Sequence, residues 1–421
     1  MVGGIGTGCE GHQFRRPLMV SSSRKQASAR PKWSGRLNNG LVWLVLVNGI
    51  SYLTSLLRER FLYQHEYGTH ALDDVVVFLA VTAIIGSALG VALAFWWSAG
   101  RLNPRALHLG AAAAVLVAGI VAIVSPVVSL LLVYLAASSG FMVATQRAAG
   151  VGRQFYALLA AVTAPGPTIA VWTAIGVRST SNILLGYAVG ATWQASGAWL
   201  AGRGSLVSRS PSSASLLWPM AYIAAVQLDG VADISVMLLA GKGWPSACAF
   251  AYNAFSGTAI IFIAPLGAQA LAGRFNPERP GRLLLGAGGI AAVYVALVPF
   301  VLRFALHGGA VVGAGYHRVL ILTLLYAPAL PFAIFWQLLT RAGHRDADRW
   351  RSLAIQATSL FFVHLVLLAV VVGFRAWTLV PLSTCGSFAI LSLAHLASRH
   401  RTAQGLLPRD PPLDGKSDAQ Q

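Results

Sequence analysis

Apolar residues run along this chain in blocks of about twenty, parted by short polar breaks in which Arg, Gly and Pro recur. Twenty helical residues are what a hydrocarbon core of about 30 Å requires. The blocks predict about twelve membrane spans, near 41–62, 73–97, 106–124, 126–147, 154–177, 180–202, 216–240, 246–272, 282–304, 318–340, 352–374 and 377–398. Only Ser125 and Pro126 divide the third from the fourth. Residues 1–40 are polar, basic and rich in Ser and Gly. They and residues 401–421 are expected to be disordered tails, and no cleavable signal is expected at the start.

Composition agrees with the pattern. Of 421 residues 56% are hydrophobic and 10% charged, with a mean hydropathy of +0.66, where a soluble domain carries roughly a quarter charged residues. The predicted fold class is therefore all-α and polytopic. The net charge of +18 sits in loops and tails rather than on one face of a folded domain, which argues against nucleic acid as a partner. Alternate connections collect the Arg residues, from Arg101 and Arg105 to Arg345, Arg349 and Arg351, whereas the opposite set holds Arg178, Lys242, Arg318 and Arg375. By the positive-inside bias both termini are cytoplasmic, which an even number of spans allows. The polar stretch 203–215 reads as a cytoplasmic linker between two six-helix bundles, 41–202 and 216–400, with a substrate path between them. Cys9, Cys248 and Cys385 lie far apart and show no metal-ligand spacing, and no disulfide is expected.

Ionisable side chains inside the blocks are costly and mark candidate chemistry. Arg58, Glu59 and Arg60 stand near the end of the first block. They either snorkel to the interface or line a wet cavity, where Arg would pair with an anionic head group through its planar fork. Asp229 and Asp233, four residues apart in the seventh, share one helical face. Two carboxylates there suit a proton or sodium site, or else pair with a base from another helix. Gly230 between them weakens the helix locally. His364, mid-block, is a packing residue or a relay. Gln227, Asn253, Gln269, Gln337 and Gln356 bond helices together or line a cavity. Pro and Gly in "APGPT" (164–168), "APLGAQ" (264–269) and "YAPALPF" (326–332) predict bends. No Gly-rich phosphate loop appears and every loop is too short for a catalytic domain, so no enzyme or nucleotide-driven pump is expected.

Three stretches resemble the MviN-type lipid II flippases of the multidrug/oligosaccharidyl-lipid/polysaccharide (MOP) exporter superfamily: "SLLRERFLYQHEYGTHALDDVVVFLAV", "VQLDGVADISVMLLAGKGWPSACAFAYNAF" and "YAPALPFAIFWQLLTRAGHRDADRWRS". The resemblance implies a V-shaped pair of bundles around a central cavity, alternating access and a lipid-linked sugar substrate moved without nucleotide hydrolysis. Arg58 or Arg60, with Glu59 and Asp74, would then be cavity residues, the arginine binding diphosphate. Asp229 or Asp233 would serve Na+ or H+ coupling, with no other cofactor. The chain departs from the family in having no charge along "AIIGSALGVALAF", in Tyr252 and Asn253 where an Asp-Arg pair would follow, and in about twelve spans against fourteen. Three functions are open: a flippase for an anionic lipid-linked glycan in the bacterial cytoplasmic membrane, a cation-coupled drug exporter, and a non-transporting scaffold for envelope-biosynthesis enzymes.

Overall fold

The computed structural model describes residues 34–98, 104–150, 153–203, 217–271, 280–306, 314–342 and 347–403, and all regular structure among them is helical. The α-helices are α1 (Ser34–Glu66), α2 (His70–Ser98), α3 (Pro104–Val124), α4 (Pro126–Gly150), α5 (Gln154–Thr163), α6 (Pro165–Ile175) and α7 (Thr180–Ala201). They continue as α8 (Leu217–Val236), α9 (Trp244–Leu271), α10 (Pro280–Leu306), α11 (Ala314–Tyr326), α12 (Ala329–Ala342), α13 (Ala347–Gly373) and α14 (Val380–Ala403). The fold is all-α and polytopic. Among the described residues eight helical runs are long and apolar enough to cross a membrane, counting α5 and α6 as one, and the bent pair α11–α12 makes a ninth. The other predicted spans correspond to α1, α3 and α7. Of these, α3 contributes a shorter apolar helix, Leu109–Val124, and α7 is diluted by Asn182, Gln194 and Ser196.

Local chemistry sets the boundaries. Thr69 accepts the Leu72 amide at 3.2 Å and so starts α2, and Ser179 does the same for α7 through the Asn182 amide at 3.2 Å. Ser125, the expected divider, accepts the Val128 amide at 3.4 Å between α3 and α4. Pro165 opens α6, where its missing N–H costs nothing, and the break at Ala327–Pro328 bends α11 against α12 by 43°. Both breaks fall where bends were predicted, whereas α9 runs unbroken through 264–269 to Leu271. The first helix begins at Ser34 rather than Leu41, and the last ends at Ala403. Residues 1–33, the linker positions 204–215 and residues 404–421 lie outside the described residues, so the expectations for tails and linker concern them only in part.

Helices α2, α3, α4, α5, α6 and α7 pack among themselves, as do α8 to α14. The two sets meet where α2 lies against α8 and α9. Small residues allow the closest approaches: a Cβ at Gly186 of α7 would come within 2.1 Å of Trp172 Nε1, whose N–H donates to the Ile183 carbonyl at 3.1 Å. Helix α1 touches both sets through side chains. Phe61 stacks on Trp172 of α6 and Tyr52 donates to the Ala254 carbonyl of α9 at 3.4 Å. The outer surface is apolar, with Ile123, Val124, Leu285 and Phe300 all more than 70% exposed, as a lipid-facing surface requires and a soluble one avoids.

Candidate functional site

The acidic face of α8 is the most deeply buried polar cluster described. Asp229 is 1% exposed and Asp233 not at all. Asp233 Oδ2 accepts the Tyr326 hydroxyl at 2.6 Å and the Thr384 hydroxyl at 2.7 Å. Nε2 of His364 on α13 lies 3.1 Å from Oδ1, but off the hydrogen-bond direction, so neither ring nitrogen makes an aligned bond. Ser383 Oγ is 3.5 Å from the same oxygen, but its single proton goes to the Val380 carbonyl at 2.6 Å. Four helices, α8, α11, α13 and α14, thus converge on one carboxylate.

Asp229, one turn earlier, is different. Among the described residues neither of its oxygens has a hydrogen-bond partner, although His364 is near enough to interact with both carboxylates. An ionised carboxylate without donors at this depth is costly, by more than the roughly 1–3 kcal/mol of an unsatisfied neutral group. A proton or a small cation would satisfy it. Gly230 admits the ring of Tyr252, whose Cζ would lie 2.2 Å from a Cβ at that position, which closes the cluster on the α9 side. Among the described residues no group of three or more His, Cys, Asp or Glu side chains is arranged to hold a metal ion.

Tyr326 ties this cluster to the bend. It is the last residue of α11, at the break before α12, and its ring stacks on Phe255 at 5.4 Å. Whatever changes the charge on Asp233 changes a hydrogen bond held at this bend. Sequence reasoning read "YAPALPF" as a bend only and passed over Thr384. The adjacent hydroxyls of Ser383 and Thr384 inside the last block were the available signal.

The arginines do not share a site. Consecutive helical positions differ by about 100°, so Arg58 and Arg60 look to opposite sides of α1. Arg58 turns toward α7. Its Nη2 donates to Glu59 Oε1 at 2.8 Å and its guanidinium lies 4.8 Å from the centre of the Tyr187 ring, while the Tyr187 hydroxyl donates to the same Glu59 oxygen at 3.2 Å. Arg58 therefore carries a counter-charge, and nothing in the sequence pointed to Tyr187. Arg60 turns toward α10, 4.7 Å over the ring of Phe304, and among the described residues no carboxylate lies within ion-pair reach of it.

At the start of α2 the buried acid is Asp73, 3% exposed, whereas Asp74, the residue singled out from sequence, is exposed. Asp73 caps the N-terminus of α9. It accepts the Gly243 amide at 2.8 Å, the Ser246 amide at 3.1 Å and the Ser246 hydroxyl. Gly243 has φ +76°, the left-handed turn that presents its amide. Tyr63 of α1 donates to the Ser246 carbonyl at 2.6 Å, and Arg318 of α11 donates to the Lys242 carbonyl at 3.1 Å while lying over Trp244. The turns after α1 and before α9 are clasped together at one end of the molecule.

No family model matches the sequence, and neither does any curated protein. Solved structures do match the fold. One is a lipid II flippase, MurJ, in an inward closed conformation, with a TM-score of 0.63 and 15% identity over 85% of this chain and 87% of that one. Another is an outward-facing multidrug resistance MATE family transporter of the MOP superfamily, with a TM-score of 0.54 and 15% identity over 89% of this chain and 97% of that one. A third is a MATE protein in complex with MaL6, at 0.53 and 14% over 88% and 98%. This chain has the fold of the MOP transporters.

Proposed function

We propose that this chain is an exporter that moves an anionic lipid-linked sugar across the bacterial cytoplasmic membrane by alternating access, coupled to a cation at the α8 carboxylates, with both termini cytoplasmic. The observation that carries the reading is Asp229, a buried carboxylate without a hydrogen-bond partner among the described residues, set beside an Asp233–His364 contact in which Asp233 also accepts from Tyr326 at the α11–α12 bend. A structural ion pair would satisfy its members, whereas a coupling site has to leave one group open to ion exchange. His364 makes the proton the better supported ion, because imidazole accepts protons readily while sodium prefers oxygen ligands. Loading the pair changes the bond that Tyr326 donates to Asp233 and so biases the angle between α11 and α12. The likeness to a lipid II flippase and the charge of Arg60, which no carboxylate among the described residues balances, support an anionic substrate. Chemistry is confined to binding and release, and no covalent step is invoked.

The test is translocation of a lipid-linked oligosaccharide in proteoliposomes under an imposed pH or sodium gradient. Asp229→Asn and Asp233→Asn are expected to abolish the gradient-driven component while the protein still accumulates in the membrane. Wild-type gradient dependence in the double variant would refute coupling at this site. A second reading, a cation-coupled multidrug exporter, is favoured by one observation: Arg58 is already neutralised by Glu59, which leaves less positive charge for a phosphate. Efflux of cationic drugs that needs Asp229, with no translocation of the oligosaccharide, would establish that reading instead.

A further inference from the structure

An elongated apolar groove of about 620 Å³ runs between α1 and α10, with α9 as its floor. On α10 the lining residues follow one stripe from Gly286 to Leu302, a rise of about 24 Å against a hydrocarbon core of about 30 Å. The groove opens sideways, since Leu53 on one wall and Val293 and Leu297 on the other are more than half exposed.

Its four hydroxyl-bearing lining residues offer no free proton to a ligand. The protons of Tyr52, Thr258, Tyr294 and Thr323 go to the carbonyls of Ala254, Ala254, Thr323 and Val319. The walls present carbon, and only a hydrocarbon gains by filling them.

At one end the chemistry changes. Tyr52, Leu56 and Arg60 are spaced i, i+4, i+8, so they lie along one stripe of α1, and the first two line the groove. Arg60 therefore continues the groove wall, and its guanidinium meets Phe304 of α10, just beyond the last lining residue. No carboxylate among the described residues balances that charge. An apolar track that ends at an uncompensated guanidinium matches one kind of molecule: a long hydrocarbon chain carrying a phosphate.

We infer that the α1–α10 groove holds the hydrocarbon chain of the lipid-linked substrate, with Arg60 on its phosphate. This rests on the transport reading and deepens it. The head group is carried between the helix sets while the chain stays in a lateral groove against the bilayer, so the chain never has to cross a polar cavity.

The experiment uses the full-length protein in zwitterionic nanodiscs, with a photoreactive p-benzoylphenylalanine replacing Val293, and a control at Ile123 of α3, which is 86% exposed. The probes are radiolabelled polyprenyl phosphate, the matching neutral polyprenol, and phosphatidylglycerol as competitor. Polyprenyl phosphate is expected to label the 293 position and not the 123 position. Arg60→Ala should lower that labelling by roughly tenfold, the loss of one charge-assisted contact, and Arg60→Lys should restore part of it. Gly289→Leu should block the groove; a Cβ at Gly289 meets nothing within 4 Å, so that side chain enters open space, and size-exclusion elution verifies the fold. Equal labelling by the neutral polyprenol, labelling indifferent to both variants, or equal competition by phosphatidylglycerol would overturn the inference, the last by showing an ordinary annular lipid site. Labelling needs neither gradient nor turnover. Its loss with gradient-driven transport intact therefore sinks the groove alone, and labelling in a protein that moves nothing sinks the transport reading alone.

Discussion

Replacing Asp73 with Ala should loosen the end of the molecule where the α1–α2 turn meets the α8–α9 turn. The carboxylate accepts two backbone amides, from Gly243 at 2.8 Å and Ser246 at 3.1 Å, as well as the Ser246 hydroxyl. A hydrogen bond to a charged group contributes roughly 1.5–3 kcal/mol, and a lost helix cap costs roughly 0.5–2 kcal/mol. Water can partly replace the lost acceptor at a helix end, so the two amides together amount to about 2–4 kcal/mol in favour of the clasped state. Removing that preference shifts a clasped-to-open equilibrium by roughly 30- to 1000-fold. Asn in place of Asp, which keeps one oxygen acceptor without charge, should give a smaller shift. The measurement is a spin-label distance between His70→Cys and Lys242→Cys, both exposed positions, in a background with Cys9, Cys248 and Cys385 replaced by Ala. The wild-type background should give a single short distance and Asp73→Ala a second, longer population, with faster hydrogen exchange at Gly243 and Ser246. An unchanged distance distribution together with unchanged exchange would show that Asp73 does not hold the two turns together.

Two smaller perturbations probe packing, one beside the α8 carboxylates and one among α2, α4 and α7. Gly230→Ala places a Cβ 2.2 Å from Tyr252 Cζ. Overpacking of that kind costs about 1–3 kcal/mol, outweighing the helix preference for Ala of up to about 1 kcal/mol, so a lowered thermal unfolding temperature is expected, recovered in part by Tyr252→Ala; a more stable Gly230→Ala protein would contradict the tight contact. Arg147 lies 5.0 Å over Trp97 and 3.8 Å over Trp199, joining α2, α4 and α7. Arg147→Ala should lose about 1–3 kcal/mol and Arg147→Lys less, read as detergent-solubilised thermal stability, and equal loss from both would remove guanidinium stacking as the cause.

The length and apolarity of each block decided by themselves that this chain is helical and embedded in lipid, because a bilayer leaves the backbone few other ways to satisfy its hydrogen bonds. The helix breaks at Pro165 and Pro328 were equally local, since proline removes a donor wherever it stands. The Asp229–Asp233 pair was legible for the same reason: spacing of four places two side chains on one face without help from any other helix. Partners were not legible. Tyr326 and Thr384 reach Asp233 from 93 and 151 residues away, a distance no local pattern encodes. Nor was rotation about a helix axis: which of Asp73 and Asp74 is buried, and whether Arg58 and Arg60 face one site or two, turns on a phase of about 100° per residue. That phase is set by which neighbours pack against the helix, and packing exists only once the helices have assembled.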